Sequence, residues 1–144
     1  MQDYAEKVRT NIASHGFHTT YVLESETPAF CYSTGIFQQH GIPELFISAL
    51  PPNLSHELIK QYIARFQATG PEIGTRVSAQ EERFDYYLIN VSNERLSDYV
   101  LATIKYYGDS PYQYLQLVYP DTEMRFPHEP GYDYDQELLG EFPG

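Results

Sequence analysis

Residues 43–66 read PELFISALPPNLSHELIKQYIARF, and the change of pattern inside this stretch decides the fold. From Glu44 to Leu50 the run is apolar on both faces apart from Ser48. That pattern predicts a strand covered on both sides and central in its sheet. After Pro51 and Pro52 the period changes. Leu54, Leu58, Tyr62 and Phe66 recur every four residues, widened by Ile59 and Ile63, while Glu57, Lys60, Gln61 and Arg65 lie elsewhere on the wheel. This is the stripe of a helix packed on a core, and Gly70 and Pro71 stop it.

Working outward, Tyr4, Val8 and Ile12 share a helical face over residues 3–14, with Asp3 as N-cap and Gly16 as stop. FHTTYVL (17–23) and AFCYSTGI (29–36) are two strands broken by SETP, a hairpin signal. FQQHGIPE (37–44) reads as a loop. Residues 74–78 form a short strand and RFDYYLINV (83–91) a longer one, with Phe84, Tyr86 and Leu88 on one face and Tyr87, Ile89 and Val91 on the other. A third helix runs from Asn93 to Tyr107 on Leu96, Val100 and Ile104, and YQYLQLVY (112–119) is the last strand. The order predicts an α+β fold: a mostly antiparallel sheet with about three packed helices and an irregular C-terminal segment. We expect one domain over 1–144, in which 120–144, rich in proline, acids and aromatics, covers the rest.

Nine basic against twenty acidic residues give a net charge of −11. Phosphate neutralisation needs clustered Lys and Arg, so nucleic acid is excluded as an expected partner. The same charge disfavours an anionic membrane surface, and no apolar run approaches the roughly 18 residues of a membrane span. Residues 1–11, MQDYAEKVRTN, carry acids and no apolar core, so they are not read as a signal peptide. Cys31 is the single cysteine; with no internal disulfide, a cytoplasmic address is the expectation. Seven acids against Arg125 alone concentrate negative charge in residues 121–144.

Four blocks carry a further signal: YSTGI (32–36), PELFISAL (43–50), QLVYPD (116–121) and FPHEPGYD (126–133). In this order they resemble the bacterial family catalogued as domain of unknown function 4262, over nearly the whole chain. The resemblance implies a small bacterial cytosolic protein and no particular reaction. Ser33 stands where that family usually has threonine, Thr34 where it has an aliphatic residue, and Ala49 where glycine is common. Tyr119 and His128 take two tryptophan positions, which makes His128 an aromatic packing position before an acid–base one.

The chemistry-bearing residues each have a structural alternative. His15 and His18 form H-x-x-H across a helix end and a strand start, without the further ligands a zinc site needs. No metal and no cofactor is expected. Cys31 lies between Phe30 and Tyr32 in a strand and reads as a small hydrophobe. Glu44, Asp121 and Glu129 are the carboxylates available for acid–base work. Their alternatives are bonds from backbone amides for Glu44, a turn cap for Asp121 and a pair with Arg125 for Glu129. Gly35, in STG, offers a backbone amide. Tyr32, Thr34, Tyr114 and Gln116 alternate along strands and make either a polar, aromatic pocket or a buried face whose Gln116 needs partners. His128 completes the set of ligand-binding candidates, and no catalytic residue is assigned. We expect a binding or interaction module, inhibitor- or immunity-like, for a basic protein partner or a small molecule. The alternative is a small hydrolase or transferase using carboxylates beside Tyr32 and Gln116. A homodimer through a helix face or sheet edge is compatible with the sequence and not demanded by it.

Overall fold

The structure, a computed structural model, describes residues 3–142. Helix α1 (Tyr4–His15) starts where the Asp3 carboxylate accepts the Glu6 N–H at 2.8 Å and ends at Gly16, whose φ of 86° only glycine adopts without strain. Strands β1 (His18–Val22) and β2 (Phe30–Thr34) form the expected antiparallel hairpin. β3 (Glu44–Ser48) pairs with β2 and is buried throughout, and α3 (Pro52–Phe66) follows it. β4 (Arg76–Val77), β5 (Tyr86–Val91), α4 (Leu101–Tyr107) and β6 (Tyr114–Val118) complete the six-stranded sheet, ordered β1-β2-β3-β6-β5-β4.

Two expectations are corrected. Residues Ile36–His40, read as the end of a strand at Ile36 and as loop from Phe37, form a short helix, α2. Five residues are too few to show a period, and the group that caps it lies eight residues downstream of its first turn. The helix expected from Asn93 begins only at Leu101. Over 93–100 the backbone makes mostly three-residue turns, such as Leu96 N–H to Asn93 O and Tyr99 N–H to Leu96 O. There the Ser92 hydroxyl takes the Arg95 N–H as a helix cap would, but the Asn93 amide is drawn to Tyr112 O and the turns that follow stay mostly three residues long. Leu96 and Val100 are buried as the stripe requires, whereas Ile104 is exposed.

All neighbouring strands are antiparallel except β3 and β6, which run parallel with Glu44 opposite Tyr114 and Phe46 opposite Gln116. The sheet has an apolar layer on each face. On one, Cys31, Leu45, Ile47, Leu88, Leu115 and Leu117 meet α3 through Leu58, Ile59, Tyr62 and Ile63. On the other, Phe30, Tyr32, Phe46, Val91 and Tyr114 meet Leu96, Val100 and Leu139, and Ile89 and Val118 meet Phe126. α1 and α4 pack beside each other on this second face. Residues 132–140 cross it too, tied by Gln116, whose amide nitrogen donates to Glu137 O at 2.6 Å and whose oxygen accepts Leu139 and Gly140 N–H at 2.9 Å.

Ala49 holds a φ of 62°, stabilised by its N–H to Ala29 O at 2.6 Å. The left-handed region costs an L-residue roughly 1–2 kcal/mol, of which glycine's looser unfolded chain takes back about half. Ala49→Gly is therefore expected to raise the unfolding free energy by about 0.5–1 kcal/mol, read from urea denaturation midpoints.

Candidate functional site

Glu44 is wholly buried, and its carboxylate accepts five hydrogen bonds. Ser33 Oγ donates at 2.7 Å and Ile36 N–H at 3.1 Å to Oε1; Gly35 N–H at 2.9 Å, Phe37 N–H at 3.1 Å and Tyr107 OH at 2.5 Å donate to Oε2. Three of these donors open α2, so the carboxylate occupies the helix's positive end. Burial pushes the Glu44 carboxyl up from its ordinary range, and the bonds from Tyr107, Ser33, Phe37 and Ile36 oppose that. Donor identity fixes the form the site is built for. Backbone N–H groups only donate. The Ser33 oxygen already accepts Leu45 N–H at 2.9 Å, and the Tyr107 oxygen accepts Gln38 N–H at 3.2 Å, so both hydroxyl protons are free for Glu44. The arrangement fits the ionised carboxylate, with no lone pair directed at solvent.

Gly35 cannot be replaced there. Its φ is 101°, and an added Cβ would come within 2.8 Å of Ile12 Cγ1 on α1. Beside it, Tyr114 OH donates to Ser33 O at 2.7 Å, and the Thr103 hydroxyl lies 2.7 Å from that of Thr34 and 2.8 Å from that of Tyr114. Thr34, Gly35, Glu44 and Tyr114 are thus brought together, in a buried network whose members satisfy one another. Burial, and then the Glu44 charge, drive the Tyr114 phenol well above its ordinary value. Tyr107 is likewise raised, by burial and by Glu44, so neither phenol is a base near neutral pH.

The other candidates lie elsewhere. Asp121 follows β6, whereas Glu44 sits opposite that strand's first residue. At 3.3 Å per residue this separates the two carboxylates by roughly 20 Å. Asp121 accepts Glu123 and Arg125 N–H on one oxygen and Asp133 N–H and Arg125 Nε on the other, at 2.9–3.1 Å. Desolvation pushes its carboxyl up, but these bonds prevail and hold it below the usual range. Glu129 does not pair with Arg125. It accepts the Phe126 N–H at 3.0 Å, because Arg125 is already held by Asp121. His128 packs among Tyr87, Phe126 and Phe142, ring centroids 4.5–6.2 Å apart, as an aromatic position. Gln116 clamps the C-terminal segment. Tyr32, Thr34, Tyr114 and Gln116 do share a face, and what they form is buried core under that segment and α4.

The histidines do not converge. His15 ends α1 and is exposed, while His18 is buried with Nδ1 accepting from Asn11 Nδ2 at 2.9 Å and Nε2 facing Tyr4 OH at 2.8 Å. Among the described residues no three His, Cys, Asp or Glu side chains are grouped to hold a metal ion. Cys31 is buried, and desolvation pushes its thiol up to about 12.

Several concavities open on the surface, and the one walled most completely by apolar side chains lies between two helices. α1 and α4 leave a groove of about 370 Å³ between them, lined by Tyr4, Ala5, Val8, Arg9 and Tyr32 on one side and Leu101, Ala102, Lys105 and Tyr106 on the other. Val8 and Tyr32 are buried at its floor; Tyr4 and Leu101 are 47 % and 63 % exposed at its rim. The Tyr32 oxygen accepts Ala102 N–H at 3.1 Å, which fixes α4 over β2. Of the residues expected to bind a ligand, Tyr32 alone lines this groove. The sequence carried one signal for it, apolar Leu101 beside Lys105 on the outer side of a helix, but not that α1 would lie next to α4.

Fold and site together define an α+β protein with a mixed sheet, helices on both faces and a surface groove separate from its buried polar network. The chain belongs to the family described as Domain of unknown function (DUF4262), whose model matches residues 11–133. No curated protein and no solved structure matches the chain significantly. No helix among the described residues is long and apolar enough to cross a membrane.

Glu44→Gln puts an NH₂ against N–H donors, and each unsatisfied buried group costs about 1–3 kcal/mol. The variant is expected to lose roughly 3 kcal/mol or more of unfolding free energy in urea, with unchanged slope. A second prediction concerns pH. Burial, then Lys7 and His56, lower the His18 imidazole from 6.5 to about 4. Between those values the unfolded chain binds a proton that the folded one lacks. The contribution is therefore complete above 6.5 and lost as pH falls toward about 4. The His18 ring resonances are expected not to titrate down to about pH 5, and His18→Gln to flatten the fall in stability over that window.

Proposed function

We propose that the protein is a binding module whose ligand is a small molecule with an apolar body, held in the groove between α1 and α4. The groove itself carries the reading. It is preformed, floored by Val8 and Tyr32, and walled by apolar and aromatic side chains from two helices, as small-molecule sites are. Its rim leaves Leu101 and Tyr4 uncovered, apolar area that a ligand would bury.

An enzymatic reading has less support. Catalytic carboxylates need a free lone pair or proton and a partner within reach. Glu44 and Asp121 spend their oxygens on backbone amides and on the side chains of Ser33, Tyr107 and Arg125, and they lie at opposite ends of the sheet. A basic protein partner is supported by charge alone, through exposed Glu123, Asp133, Asp135 and Glu141, without a shaped surface.

The test is amide NMR of the full chain titrated with 1-octanol to millimolar concentration. Shifts are expected to centre on Val8, Tyr32 and Ala102. Ala102→Leu, which fills the groove, is expected to weaken them at least fivefold while leaving the urea midpoint in place. Shifts scattered over the surface, or unchanged in Ala102→Leu, would show that the groove is not the site.

A further inference from the structure

Five of the nine basic residues, Lys7, Arg9, Arg83, Arg95 and Lys105, make no ion pair among the described residues. Two of these five, Arg9 on α1 and Lys105 on α4, line the same groove, and no acid lines it. In a chain where acids outnumber bases by more than two to one, this is an inversion of the local charge. The hydroxyls nearby are already engaged. Tyr4 OH bonds His18 and Thr20, Tyr106 OH donates to Gln38, and the Tyr32 oxygen accepts Ala102 N–H. The polar capacity left to the groove is therefore cationic.

Resting on the groove reading above, we infer that the ligand is an amphipathic anion. Its carboxylate-like head sits between Arg9 and Lys105, and its aliphatic body lies against Val8, Tyr32, Leu101 and Ala102. Both bases have long apolar stems that can line the wall while the charged end meets the head group. The guanidinium offers a fork of donors and the ammonium a point charge, a pairing suited to a carboxylate. The net charge of −11 opposes docking on an anionic bilayer, so the ligand is a monomeric molecule and not a lipid surface.

The experiment compares octanoate with 1-octanol, which share chain length and differ in charge, by amide NMR and calorimetry on the full chain. At low salt octanoate is expected to bind at least tenfold more tightly, and the advantage is expected to shrink as salt is added. Arg9→Gln and Lys105→Gln are each expected to lower octanoate affinity severalfold and octanol affinity much less, so that the double variant binds both alike. Equal affinity of the wild-type chain for the two probes would overturn the anionic assignment and leave the groove reading standing. Octanoate binding that persists in the double variant would also overturn it. Failure of both probes to shift α1 and α4 would remove both readings.

Discussion

The structure depends on a carboxylate that never reaches water. Glu44 stands at the start of the central strand β3, and its two oxygens gather donors from β2, from the first turn of α2 and from α4. Removing a charge from solvent is costly unless every lone pair is used. Here the carboxylate also completes a helix end that has too few residues to be stable alone. One side chain thus fixes where the β2–α2 turn sits, and through Gly35 and Ile12 it fixes how close α1 approaches. Tyr107 extends the same constraint to α4. The groove between α1 and α4 inherits its width from these attachments, so the buried network and the open site are mechanically related though chemically separate.

The division of labour among polar residues follows from this. The side chains most suggestive of catalysis are those that hold irregular backbone in place. Asp121 organises the turn after β6, Glu129 fastens the backbone at Phe126, and Gln116 and Gln136 anchor residues 132–140. No buried side-chain nitrogen or oxygen among the described residues lacks a partner. Such complete satisfaction is what a buried polar network needs to specify one conformation.

Much of the architecture was legible in the sequence, because periodicity reports burial directly. The apolar run of β3, the four-residue stripe of α3 and the alternation of β5 each identify an element and its buried faces. The Asp3 cap and the Gly16 stop bound α1 as read. α2 was not legible, since its stability comes from Glu44 and not from its own residues. The start of α4 was misplaced because Asn93, which can open a helix, is drawn to Tyr112 O, and residues 93–100 stay mostly in three-residue turns although Ser92 caps the first of them. The parallel pairing of β3 with β6 leaves no local mark at all. For the site, Glu44 and Asp121 were recognised as polar residues needing partners, and most of their partners proved to be backbone amides, joined by Ser33 and Tyr107 for Glu44 and by Arg125 for Asp121. Arg9 and Lys105 stand 96 positions apart and become neighbours only through the packing of two helices.

The strand order has a consequence for how the chain must be assembled. β6 is the latest of the six strands to be synthesised, yet it lies between β3 and β5. Until it is in place, β1-β2-β3 and β4-β5 are two separate fragments. Each ends in an open edge of unpaired backbone groups, flanked by Phe46 and Leu45 on one and by Leu88 and Ile89 on the other. Exposed apolar edges of this kind recruit other strands, including those of a second nascent copy. The last strand therefore acts as the closing wedge of the sheet. Its insertion, which requires contacts distant in sequence, sets the interval during which the growing chain is most exposed to misassembly.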